Sequence, residues 1–304
     1  MLTTVHQFYA MGSDCAVHLC VETAADFEQI AGAAEAEIRR VECRYLRYRN
    51  DSELARINRV VASGGSIEID AETAGLIVYA KACFAKSEGA FDVTSGLLRT
   101  VWDFSTQRLA DQGSIDAVLP FIGLDKVTLS NGHLYFARSG MELDFGGLGK
   151  EYAADRAAEV CVGLGARHGF IDLGGDIRII GPQPNDLPWK IGIRHPRDAN
   201  TLTAEIALSN GALATSGDYE RFIEVNGRRY CHILDPRTGW PARGLSSVTV
   251  ISERCLVAGS LSTTAMLKGE GGVAWLQGLG VRHIVIDENG KYCGTEPPIL
   301  RRCS

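Results

Sequence analysis

Apolar residues recur every three or four positions in several stretches of this chain, and each stretch reads as an amphipathic helix. Over 26–46 the stripe is Phe27, Ile30, Ala34, Ile38, Val41 and Tyr45. Over 71–87 it is Leu76, Ile77, Ala80, Cys83 and Phe84, with Asp70 standing where an N-cap belongs. A third helix is predicted over 149–163, closed by Gly163 and Gly165, and two more over 256–268 and 271–278. Elsewhere the pattern shifts to short alternating or β-branched runs: 16–21, 66–69, 126–130, 133–136, 169–173, 189–193, 203–208, 222–226, 246–251 and 282–287. Glycine, proline, asparagine or aspartate bounds each run, as expected of strands. Strands follow one another in pairs as often as they alternate with helices. That order predicts an α+β fold with largely antiparallel sheets and packed helices, not a doubly wound parallel sheet. The stretch GPQPNDLP (181–188) reads as a turn cluster, and with no repeat or linker in sight the chain 1–304 is taken as a single domain.

Composition narrows the function classes. At 304 residues and 45% hydrophobic, the chain can bury a sizeable core. Its formal net charge is −6 and no block of lysine or arginine stands out, which argues against a nucleic-acid surface built on phosphate neutralisation. No apolar run approaches the roughly 18 residues of a membrane span. The N-terminal MLTTVHQFYAMGSDCAVHLC has neither the basic and apolar regions of a secretory signal nor a lipoprotein-type leader, so a cytoplasmic location is expected. Nine cysteines (15, 20, 43, 83, 161, 231, 255, 293 and 303) are dispersed without a C-x-x-C pair. That argues against a disulfide framework or a zinc knot and for small buried thiols in a reducing compartment.

Candidate chemistry lies in glycine-rich turns that carry acids: GAFDVTSG (89–96), LDFGGLGK (143–150), IDLGGD (171–176), TSGDYERF (215–222) and HILDPRTG (232–239). Glycine lets backbone approach a ligand and aim N–H groups at it, and a neighbouring acid can accept from a sugar hydroxyl or hold a metal. Each such turn is also an ordinary strand connection, so only the set of five suggests a nucleotide site. The familiar motifs fail. Gly147, Gly149 and Lys150 resemble a phosphate loop, but Glu151 follows where serine or threonine belongs, and Tyr152 occupies the third glycine position of a dinucleotide fingerprint. No nucleophile elbow or H-E-x-x-H helix is present. His232 has Asp235 and Arg237 nearby, which could set its tautomer and help hold phosphate.

Taken in order, the segments AMGSDCAVHL (10–19), YRNDSELARIN (48–58), GAFDVTSGLL (89–98), LDFGGLGKEYAADRAAE (143–159), GFIDLGGDI (169–177), ATSGDYERF (214–222), YCHILDPRTGWP (230–241) and SVTVISERCLVAGSLSTTAMLKG (247–269) resemble the ApbE family. Members of that family cleave FAD and attach the FMN half to a serine or threonine of an acceptor flavoprotein. The resemblance implies an ApbE-like, T-fold-like architecture. It implies that Met11 and Tyr48 pack on the flavin or adenine, and that Ala90, Phe91 and Asp92 line the nucleotide pocket. Asp144 would hold a ribityl or ribose hydroxyl, Lys150 would sit near the pyrophosphate or flavin, Ile233 would give a backbone contact, and His232 would be the acid/base. It also implies Mg²⁺, held by the Gly147 carbonyl and by an Asp-x-x-x-Thr helix. Here the chain departs: Gly259 stands at the aspartate position while Ser262 and Thr263 remain, and Glu151 replaces the glycine after the lysine. Mg²⁺ prefers anionic oxygen. A weak site, filled mainly together with FAD and strengthened by Gly259→Asp, is therefore expected. Three functions stay open: an FMN transferase, an FAD carrier without transfer, and an FAD pyrophosphatase.

Overall fold

The structure, a computed structural model, describes all residues except 47, 48, 107, 299, 300, 303 and 304, and the backbone alone of 301 and 302. The chain opens with β1 (Leu2–Ala10), β2 (Ser13–Val21), α1 (Ala24–Tyr45), α2 (Glu53–Ser63), β3 (Ser66–Glu68), α3 (Ala71–Ser87) and α4 (Gln112–Val118). It continues through β4 (Val127–Ser130), β5 (His133–Phe136), α5 (Gly149–Gly163), β6 (Gly169–Leu173), β7 (Asp176–Gly181), β8 (Trp189–His195) and β9 (Asp198–Leu208). The remainder is β10 (Ala212–Gly217), β11 (Phe222–Val225), β12 (Arg228–Cys231), β13 (Leu245–Ser252), α6 (Cys255–Lys268), α7 (Gly271–Leu279), β14 (Arg282–Asp287), β15 (Tyr292–Gly294) and β16 (Arg301–Arg302).

Among the described residues eight strands form one sheet in the order β1-β2-β6-β7-β10-β13-β14-β15, and every neighbouring pair is antiparallel. The expected α+β class is therefore found. Side-chain alternation sorts this sheet into two faces. Val17, Leu19, Ile171, Leu173, Ala214, Val248, Val250 and Val285 join the main core with residues of α1, α5 and α6. Phe170, Ile177, Ile179, Leu213, Ile251 and Ile284 turn the other way, onto the β8–β9 ribbon through Ile191, Ile193, Ala204 and Ile206. Covered on both sides, β13 is buried at seven successive positions, which is why LSSVTVI lacks a clean polar face.

Two-residue turns with positive φ join several strand pairs. Met11-Gly12 (φ 55 and 73) links β1 to β2, and Gly174-Gly175 (φ 65 and 91) links β6 to β7. This geometry matches the right-handed twist of the strands. Five predicted helices stand within two residues of their expected bounds, and Asp70 caps α3 by accepting the Thr73 N–H at 2.8 Å. The pattern missed α2, α4, β1, β7, β10, β12, β15 and β16. The α2 stripe is only Leu54, Ile57 and Val61 behind its Ser52 cap. Strand β7 begins at the last residue of the IDLGGD turn, and β12 is a four-residue run, RRYC, behind the Asn226-Gly227 turn with only its last two residues buried, so neither shows a clear apolar alternation.

Candidate active site

The turn motifs converge at one end of the strands of the large sheet. Phe145 anchors the 144–148 loop, 1% exposed and edge-on to Tyr45 with ring centres 5.5 Å apart. Asp144 Oδ1 accepts the Gly146 N–H at 2.8 Å, and its N–H reaches the Val93 carbonyl at 2.7 Å. Gly96 packs so closely on this aspartate that a Cβ there would lie 2.5 Å from the Asp144 Cβ. The loop delivers the chain into α5, which begins without a side-chain cap. Met11, half-buried in the β1–β2 turn, places its methyl 3.6 Å from where a Gly149 Cβ would stand, and its N–H donates to Glu42 at 2.6 Å.

Lys150 and Glu151 open α5. The Lys150 Nζ lies 2.9 Å from Asp176 Oδ2, the first residue of β7. Burial alone would pull this ammonium down, but Asp176 and then Glu151 outweigh it and hold the lysine charged. Glu151 is 8% exposed. Burial, with the negative charge of Asp176, pushes its carboxyl up to about 8. The sequence assigned Glu151 and Gly259 to separate elements, and the structure brings them together. A Cβ on Gly259 would lie 2.5 Å from Glu151 Cγ and 2.5 Å from Oε1.

The α6 face beside them is held by a hydroxyl chain. Ser262 Oγ donates to the Gly259 carbonyl at 3.0 Å. A serine has one proton, so Ser216 must donate to Ser262 (2.8 Å) and Thr263 in turn to Ser216 (2.9 Å). Thr263 thereby keeps its oxygen lone pairs as a neutral acceptor.

His232 follows β12. Its backbone N–H donates to the Arg221 carbonyl at 3.0 Å, and its Nδ1 stands 3.2 Å from the same oxygen. A carbonyl only accepts, so Nδ1 carries the proton and Nε2 is the basic nitrogen. The ring edge reaches solvent, yet surrounding atoms exclude enough water to lower its pKa below 6.5, with the Arg221 charge adding to that. Asp235 and Arg237, expected to serve this histidine, pair with each other at 2.7 Å instead. The tautomer is set by Arg221.

The other sequence candidates fare differently. Tyr48 lies outside the described residues. Ala90, Phe91 and Asp92 are buried. The Asp92 carboxylate is spent on its own loop and a neighbouring one, accepting from the Thr94 N–H and hydroxyl at 2.7 Å each and from the Leu124 N–H at 3.0 Å. Phe91 packs 3.6 Å from the Cβ position of Gly147 and so shapes the loop rather than opening onto it. The Ile233 carbonyl is taken by the Ala242 N–H at 2.8 Å. Sequence reasoning missed Asp176, Ser216 and Arg221 as site residues. All three lay within quoted turn motifs, but nothing in a linear motif says that they meet.

Two cavities lie away from this cluster. One of about 440 Å³ is lined by Met1, Glu22, Asp26 and Arg167 among others, and one of about 190 Å³ lies between α3, α6 and α7. Neither gathers the titratable groups just described, so the cluster at the strand ends is the stronger candidate. No helix among the described residues is long and apolar enough to cross a membrane.

Comparison with known proteins gives a consistent picture. A model of the ApbE family matches residues 11–285. The FAD:protein FMN transferase of Haemophilus influenzae is 32% identical over 270 residues, covering 84% of this chain and 78% of its own. Among solved structures, the ApbE protein of Thermotoga maritima superposes with a TM-score of 0.89 at 32% identity, covering 97% of each chain. The apo flavinyl transferase ApbE of Pseudomonas stutzeri superposes with a TM-score of 0.85 at 29% identity, covering 97% of this chain and 94% of its own.

Proposed function

The chain belongs to the ApbE family, and from that premise we propose that it is an FAD:protein FMN transferase, acting as one domain over 1–304. It moves the FMN half of FAD onto a serine or threonine hydroxyl of an acceptor flavoprotein and releases AMP. The observation that carries this reading is the meeting of Lys150, Asp176 and Glu151 on one side with the neutral Ser216, Ser262 and Thr263 hydroxyls on the other, under a sheet shared with flavinyl transferases.

In the reaction the acceptor oxygen forms a bond to the FMN phosphorus as the pyrophosphate bridge to AMP breaks. The acceptor hydroxyl proton goes to His232 Nε2, the free basic nitrogen of a ring already oriented by Arg221. Lys150, kept charged by Asp176, offers a fixed cation to the pyrophosphate. Asp144 accepts from a sugar hydroxyl, and Met11 packs on a ring of the substrate. Buried Asp92 holds the 89–96 turn in shape and acts through that support. A divalent cation fits the residues present, because Glu151 leaves a buried oxygen without a partner beside the side-chain-free Gly259. Bound with Gly147, Ser262 and Thr263, Mg²⁺ would neutralise charge on the pyrophosphate.

The test is incubation of the purified protein with FAD and Mg²⁺, with and without an acceptor peptide. Release of AMP only with the peptide, together with a flavin–peptide adduct, is expected. AMP release to water would instead identify a pyrophosphatase, and intact bound FAD a carrier; either overturns the reading.

A further inference from the structure

Helices α5 and α6 run antiparallel in a fixed register. The Asp155 carboxylate accepts the N–H groups of Cys255 and Leu256, both at 3.0 Å, and so ties the second turn of α5 to the first turn of α6. One turn back along α5 stands Glu151, and one turn onward along α6 stands Gly259. This register is what delivers the Glu151 carboxyl into the room that a side chain at 259 would fill, with Cγ and Oε1 each 2.5 Å from the Cβ position. The helix cannot be moved away without breaking the Asp155 cap.

Glu151 is buried, and its Oε2 has no hydrogen-bond partner. Lys150 follows a different course: its ammonium rests on Asp176. A buried carboxyl oxygen without a donor is costly as an anion unless a cation meets it. On the same face, Thr263 lies one turn beyond Gly259, its proton turned back to Ser216 and its oxygen free to accept. One anionic oxygen and one neutral hydroxyl oxygen, completed by substrate phosphate and water, suit a hard divalent ion that keeps several waters. No group of three or more histidine, cysteine, aspartate or glutamate side chains gathers as a metal cage among the described residues, so this single carboxylate carries the anionic share.

We propose that Glu151 is the anionic ligand of the divalent cation, reaching from α5 into the place that a carboxylate on α6 would otherwise occupy, and that Gly259 is small in order to admit it. The proposal rests on the reading of this site as a metal-assisted flavin transferase. It replaces the expectation that Gly259→Asp alone would strengthen the site, because that side chain has no room while Glu151 is present.

The experiment is a titration with Mn²⁺, a spin-active substitute for Mg²⁺, read by the electron paramagnetic resonance of the free ion in full-length protein. The proteins are wild type, Glu151→Gln, Glu151→Gly and the exchange variant Glu151→Gly with Gly259→Asp. The isosteric Gln variant should bind Mn²⁺ about tenfold or more weakly while melting no lower than wild type, and the exchange variant should return to within about threefold of wild type. Wild-type affinity in Glu151→Gln, or an exchange variant no tighter than Glu151→Gly, overturns the proposal. AMP release with acceptor peptide, measured in parallel on wild type, tests the functional reading separately. Wild-type transfer with Mn²⁺ binding indifferent to position 151 sinks only the ligand assignment. Glu151-dependent binding without transfer sinks only the transferase.

Discussion

His232 presents one nitrogen to solvent and spends the other on a backbone carbonyl, so its chemistry can be stated before any substrate is added. Its lowered pKa disfavours the imidazolium, which keeps Nε2 able to accept a proton throughout the range above 6.5. The acid limb of kcat/KM should therefore fall below pH 6.5, the ordinary histidine value. His232→Ala should slow AMP release by about 10²–10⁴-fold, abolish that limb and leave FAD affinity near wild type. A limb that survives in the variant would assign the proton transfer elsewhere. Asp144 belongs to binding. Asp144→Ala should weaken FAD by roughly 1.5–3 kcal/mol, read by flavin fluorescence quenching, because a sugar hydroxyl loses a charged acceptor. Wild type should prefer FAD to FMN, and equal affinity for both would overturn the assigned pocket of the 90–92 turn and Asp144. Residue types marked these positions in the sequence, but the role of Asp92 was not legible there. An aspartate that accepts three hydrogen bonds from its own and a neighbouring loop looks the same in sequence as one aimed at a ligand.

Elements are held by two devices that respond to different perturbations. At Gly181, the end of β7, a Cβ would lie 2.0 Å from the Arg167 carbonyl, and both partners are backbone. Gly181→Ala should therefore destabilise by about 1–3 kcal/mol through overpacking. Gly32, mid-way along α1, has nothing within 4 Å of its Cβ position. Gly32→Ala should stabilise by about 0.5–1 kcal/mol, because it removes the entropy cost of helical glycine. Urea unfolding of the two variants would expose a reversed order. The second device is a charge network across α1, α3 and α5. Arg40 bridges Glu37 and Glu72, Arg156 reaches Glu37, and the Tyr152 hydroxyl donates to Glu72. Arg40 holds both carboxyls below the ordinary value of 4.5. A depressed folded-state pKa contributes stability above the unfolded value and loses it as pH falls through the folded one. The melting temperature should accordingly drop below pH 4.5. Arg40→Met should flatten that drop, and an unchanged slope would show the network to be solvent-screened.

Across the whole molecule, the sheet separates two cores, and substrate is expected at the strand ends where turns from β1–β2, β6–β7 and β10–β11 meet the start of α5. A ligand that binds only the folded chain stabilises it by mass action, about 2.7 kcal/mol at a hundredfold excess over Kd. FAD should thus raise the melting temperature of wild type, and raise it less in Asp144→Ala at the same concentration. A shift of equal size in both would place the substrate away from the 144–150 loop.

What the sequence determined alone was local. A stripe of Ile30, Ala34, Ile38 and Val41 can bury only one face of a helix, and paired β-branched runs between glycine turns can only return antiparallel. The helices of the α+β class and the ordered turn motifs were legible for that reason, and so was the family resemblance, which depends on their order. Tertiary structure decided what linear spacing cannot encode. Residues 151 and 259 are neighbours only because Asp155 sets the register of α5 against α6. Lys150 meets Asp176 only because the β6–β7 turn brings the strand back beside the helix start. Contacts between elements distant in sequence depend on how apolar faces pack, and the place of Glu151 Oε2, the one buried carboxyl oxygen without a hydrogen-bond partner among the described residues, follows from that packing.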